Sequence, residues 1–110
     1  MKKYQSEVLR NVQANYVAFR EAELAKTTAE VFNDAYQINF MSFMSDFFDG
    51  DELLSGKTYA FLAKDKDRIL DNLYGHYMRY WDRTISETDE ALDLVNDYYN
   101  TYHSERGGEM

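Results

Sequence analysis

The chain has 110 residues, 45% hydrophobic and 16% aromatic, with twenty acidic side chains against twelve lysines and arginines and no cysteine. That length suits one domain with a single modest core; the apolar content excludes a disordered chain, and the lack of cysteine excludes disulfides, thiolate metal sites and a cysteine nucleophile. A net charge of −8 disfavours attraction to nucleic acid or anionic membrane and makes basic proteins the natural electrostatic partners.

Proline is absent, so only caps and loops interrupt helices. No apolar region follows Met1-Lys2-Lys3, so no signal peptide is expected. The first segment, Lys3 to Ala25, carries Val8, Val12, Tyr16 and Phe19 at helical spacing. Thr27 with Glu30 three residues later is a capping box, which either opens a second helix or sits inside one long one. Val31, Ala35, Ile38, Met41 or Ser42, and Ser45 follow along one line. Phe32, Tyr36, Phe40, Phe43, Met44, Phe47 and Phe48 broaden that line, which predicts a central helix buried on most sides, ended by Asp49-Gly50-Asp51. The run Ile38 to Phe48 is broken by Asn39, Ser42, Ser45 and Asp46 and falls far short of the ~20 residues that span a membrane. A cytoplasmic location is expected.

Between Glu52 and Lys64, Leu53, Leu54, Tyr59, Phe61 and Leu62 read as one or two short helical turns, in preference to a lone strand at Thr58 to Ala63. Asp65 or Asp67 is placed to cap a helix through Ile69, Leu70, Leu73, Tyr74, Tyr77, Met78 and Trp81. Ser86, Glu87, Asp89 and Glu90 mark the start of the last helix, whose Leu92, Val95, Tyr99 and Tyr102 form a narrow seam. The expected fold is all-α: a compact bundle of four main helices with one or two short helices in the middle loop, over residues 1–104, then a loose tail at 105–110.

No motif in the chain announces catalysis. Gly50 to Thr58 superficially suggests a phosphate loop, but its glycines are one residue too far apart and no strand precedes it. Asp46, Asp49, Asp51 and Glu52 fit no register of a calcium loop. His76 and His103 are dispersed and read as surface or boundary residues, so no metal or cofactor is expected. The chain reads as a non-enzyme.

What stands out is charge arranged in blocks. Residues 1–26, 27–56, 57–85 and 86–110 carry net charges of +2, −6, +2 and −6. Asp89, Asp93 and Asp97, with Asp82, Glu87 and Glu90 beside them, place like charges one helical turn apart, an arrangement that costs a few tenths of a kcal/mol per pair. The plain reading is a solvated face that keeps an aromatic-rich protein in solution. The functional reading is a row of carboxylates with a rise of about 6 Å per step, near the pitch of phosphates on a nucleic-acid strand. Such a row suits a groove of lysines and arginines. Asp49, Asp51 and Glu52 would extend it. Trp81 with Arg79 and Arg83 supplies the residue types that dominate protein interfaces, although a core-facing Trp81 with solvated arginines explains them equally.

In size, charge and the ridge Asp89-Asp93-Asp97, the chain resembles the small, acidic, cysteine-free helical inhibitors encoded by phages and mobile elements, the anti-CRISPR and DNA-mimic proteins. That resemblance implies a stoichiometric inhibitor docking on a basic, nucleic-acid-binding partner such as a CRISPR effector, with no direct contact to nucleic acid or membrane. The alternative is a homodimer built on the seam of the last helix, with the acids serving solubility.

Overall fold

The computed structural model describes residues 3–50, 54–81, 85 and 87–106. These form six α-helices: α1 (Gln5–Leu24), α2 (Thr28–Asn33), α3 (Ala35–Phe48), α4 (Gly56–Ala63), α5 (Ile69–Tyr80) and α6 (Thr88–Arg106). A 3-10 turn at Lys66–Arg68 precedes α5, and no strand occurs among the described residues. The fold is therefore all-α, with α1, α3, α5 and α6 as its four long helices. No helix among the described residues is long and apolar enough to cross a membrane.

The first two segments are separate helices, for a local reason. Thr27 is extended, its side chain accepts the Glu30 backbone N–H, and the Glu30 carboxylate accepts the Thr27 N–H at 2.9 Å. Two donors that a helix start leaves unpaired are thereby satisfied reciprocally. Lys26 clamps the corner by donating to Glu23 and Asp34. Ser55 opens α4 in the same way, accepting the Thr58 N–H at 3.2 Å, so the middle segment is helical.

The start of α5 corrects the expected cap. Neither Asp65 nor Asp67 caps it; its flanking residue is Arg68, with no side-chain cap of its own. The acceptor comes from α1, where buried Asn15 takes the backbone N–H groups of Leu70 and Asp71 at 2.8 and 3.1 Å. Asp65 instead accepts the Tyr98 hydroxyl at 2.7 Å.

Val8 and Val12 of α1, Met41 and Met44 of α3, Phe61 and Leu62 of α4, Ile69, Leu70 and Leu73 of α5, and Leu94 and Val95 of α6 are almost wholly excluded from water. Rings fill the gaps between them: Phe61 meets Tyr98 and Tyr99 edge-on at 5.5 and 5.2 Å, and Phe40 lies against Tyr74 and Tyr77. α1 packs on α3, α4, α5 and the 3-10 turn, while α6 covers α4 and α5.

Two apolar patterns behave differently from expectation. Only the second half of α3 is central; Phe32 of α2 and Tyr36 at the start of α3 stand exposed. On α6 the buried line is Ala91, Leu94, Val95 and Tyr98. Leu92, Tyr99 and Tyr102 are half-buried and pack against this protomer's own core. α6 also runs to Arg106, two residues past the boundary at 104 expected for the tail.

Candidate functional site

The acid block of α6 divides into residues with different local duties. Asp89 and Glu90 lie in its first turn, where carboxylates oppose the positive end of the helix dipole. The Glu90 carboxylate also accepts the Glu87 backbone N–H at 3.2 Å. Glu90 is half-buried and contributes to holding the Tyr77 hydroxyl above its ordinary value, an effect led by burial of that phenol. Glu87, Asp89 and Asp93 are exposed, and none is paired with a lysine or arginine among the described residues. Asp89 and Asp93 thus form a two-step row left open to solvent.

Asp97 is different. Its Oδ2 accepts from His76 Nε2 at 2.7 Å and, at a longer 3.4 Å, from Trp81 Nε1. The expectation that Asp97 stands bare beside Asp89 and Asp93 is therefore corrected: half of its carboxylate is spent inside the molecule. His76 is corrected with it, since it is 3% exposed and no surface residue. Tyr80, Tyr98 and Tyr102 surround its ring at 4.9 to 5.7 Å. With a carboxylate accepting at Nε2, that nitrogen carries the proton. Nδ1 is left buried with no hydrogen-bond partner.

Where α5 ends, Trp81 turns out of the helix with extended backbone and closes one side of a cleft. Tyr80, Trp81, Asp93, Asp97 and Thr101 line this shallow, open depression of about 640 Å³. The Asp93 carboxylate and Asp97 Oδ1 point no bond at any described neighbour. Tyr80 is 59% exposed. Carboxylates beside an indole and a phenol suit a cationic side chain, which gains charge-assisted hydrogen bonds and the negative faces of the rings together.

Of the residues singled out from sequence, this cleft unites Trp81, Asp93 and Asp97, with Asp89 one turn away along α6. Arg79 lies apart, on a second depression of about 410 Å³ with Asp71, Asn72, His76 and Tyr102. Asp49 is exposed at the C-terminal end of α3. Asp51, Glu52, Asp82 and Arg83 fall outside the described residues. Tyr80 and Thr101 escaped sequence reasoning, although Thr101 stands one turn beyond Asp97.

Nothing in the cleft is arranged as a nucleophile beside a base. The Thr101 hydroxyl donates to the Asp97 carbonyl at 2.8 Å, and the free nitrogen of the His76–Asp97 pair is sealed from water. Among the described residues, no three His, Cys, Asp or Glu side chains come together as a metal site. Compared with known proteins, the chain matches no family model, no curated sequence and no solved structure.

Proposed function

We propose that this protein is a non-enzymatic binding module. Its α6 acids dock on a basic, nucleic-acid-binding partner and block that partner's groove, as the resemblance to phage-encoded anti-CRISPR and DNA-mimic inhibitors implies. The observation that carries the reading is the pairing state of the acids. Asp89 and Asp93 are exposed to solvent and pair with no lysine or arginine among the described residues, and Asp93 continues into a cleft edged by Tyr80 and Trp81. A lysine or arginine entering there exchanges water for carboxylate and ring faces at once, while the outer acids steer the encounter.

The experiment is displacement of labelled duplex DNA from a guide-loaded CRISPR effector, followed by gel mobility as the protein is added. The wild-type chain should release the DNA, less so as salt rises. Asp89→Lys with Asp93→Lys, both exposed, should abolish release while lowering the melt by only a few degrees, because Asp89 also opposes the dipole of α6. Asp97 is kept intact because it holds His76. Release that is absent for wild type, or equal for wild type and variant, refutes the reading.

A further inference from the structure

A second surface has the opposite character. At the α1–α2 corner Leu24 is 81% exposed and Phe32 80%, side chains whose burial ordinarily drives folding. Beside Leu24, a groove of about 210 Å³ runs between the end of α1, α2 and the start of α3, floored by Tyr16, Phe19, Val31 and Ile38. That is roughly seven times the ~30 Å³ a water occupies in the liquid, room for one or two large apolar side chains. An apolar concavity with large hydrophobic groups standing open at its edge marks an interaction site.

The rim says what kind of occupant it takes. Of the acids that follow α1, Glu30 of α2 and Asp34 at the α2–α3 junction stand at this corner. At the corner itself one ammonium, Lys26, is shared between two carboxylates, Glu23 and Asp34. Asp34 is held below the usual carboxylate range, chiefly by the Lys26 ammonium. Glu23 lines the groove, is 8% exposed, and its Oε2 accepts no hydrogen bond. Glu30 adds a further exposed carboxylate one turn before Asp34. Arg20, one turn before Glu23 on α1, also lines the groove and lies over the Tyr16 ring at 5.8 Å. With Lys26 and Arg20 set against Glu23, Glu30 and Asp34, the corner carries one more acid than base beside an apolar floor.

We propose that this groove receives an amphipathic helix from a partner protein, one whose apolar stripe is flanked by lysine or arginine. The helix-in-groove mode would seat one or two apolar side chains, spaced i and i+3 or i+4, in this groove, against Leu24 at its edge, with exposed Phe32 next to Val31 on α2. A second copy of this chain is the poorer occupant, because it would set one acidic rim against another. The site shares no residue with the α5–α6 cleft and does not depend on it.

The probe is a dye-labelled synthetic peptide of about 18 residues, long enough for roughly five helical turns, with leucines on one face and lysines elsewhere. Its control is the same composition scrambled. Anisotropy at about 150 mM salt, where exposed charges are screened beyond ~8 Å, should show the patterned peptide binding at least about tenfold more tightly than the scrambled one. Leu24→Ser and Phe32→Ser, at exposed positions that leave the melt unchanged, should each weaken it by about tenfold, the scale of one apolar side chain lost from an interface. Glu30→Gln, which preserves the capping box, should weaken it a few-fold and flatten its salt dependence. Asp89→Asn with Asp93→Asn should leave it unchanged, which separates this site from the α6 acids. Equal binding of both peptides, indifference to Leu24→Ser and Phe32→Ser, loss of binding in the α6 variant, or a wild-type dimer dissolved by Leu24→Ser would each overturn the proposal.

Discussion

Asp93 and Asp97 sit one turn apart on one helix, yet replacing each with alanine should have very different consequences. Asp97→Ala strips the acceptor from His76 Nε2, in a side chain only 1% exposed, and the second ring nitrogen is already without a partner. A buried donor left unsatisfied costs about 1–3 kcal/mol. With an unfolding entropy near 2.1 cal/mol/K per residue, 110 residues give about 0.23 kcal/mol/K, so the melting temperature should fall by roughly 4–13 °C. Alanine also raises helix propensity by a few tenths of a kcal/mol, and Asp93→Ala corrects for that gain because it makes the same change at an exposed, unpaired site. That variant should stay within about 2 °C of wild type. Asp97→Asn keeps an acceptor oxygen and should fall between the two. Thermal melts followed by far-UV circular dichroism in one buffer decide the matter. If Asp97→Ala and Asp93→Ala melt together, the His76–Asp97 bond contributes nothing and the division of the acids into structural and exposed members fails.

Asn15→Ala should cost about 1–2 kcal/mol, because two N–H groups at the start of α5 lose their only side-chain acceptor. The urea midpoint should drop with an unchanged slope, and an unmoved midpoint would contradict the cap. Glu30 lies below its ordinary 4.5, chiefly through the Thr27 backbone N–H, and Asp34 below its ordinary 3.8, chiefly through Lys26. Both are lower folded than unfolded, so the stability they add is complete above about pH 4.5 and is lost as pH falls through the depressed folded values. Carboxyl titration by NMR should place both midpoints under those ordinary values; midpoints at or above them would show that the corner contacts do not form in solution.

The helices were legible because each carries its own record: apolar residues at helical spacing, no proline, and a cap within three residues at Thr27. What escaped was tertiary. No local pattern reveals that α5 borrows its cap from Asn15, since the partners are 55 positions apart. His76 is polar and alone, so its residue type argued for the surface. Its spacing did hold a signal, since positions 69, 73, 76 and 77 share one helical face. Phe32 and Leu24 mislead in the other direction, because an apolar letter says nothing about whether a neighbour arrives to cover it. The acidic row was visible as spacing, but the division of labour between Asp93 and Asp97 depends on where Trp81 and His76 of α5 come to rest.

The reach from Asn15 to α5 also has a temporal side. A nascent chain lengthening by about 5–20 residues per second supplies Leu70 roughly three to ten seconds after Asn15. Throughout that interval Val8 and Val12 have no completed core to join, and the first helix waits with its greasy edge uncovered. Synthesis therefore passes through a window in which α1 stands without the later helices that cover it, open to chaperones or to other nascent copies.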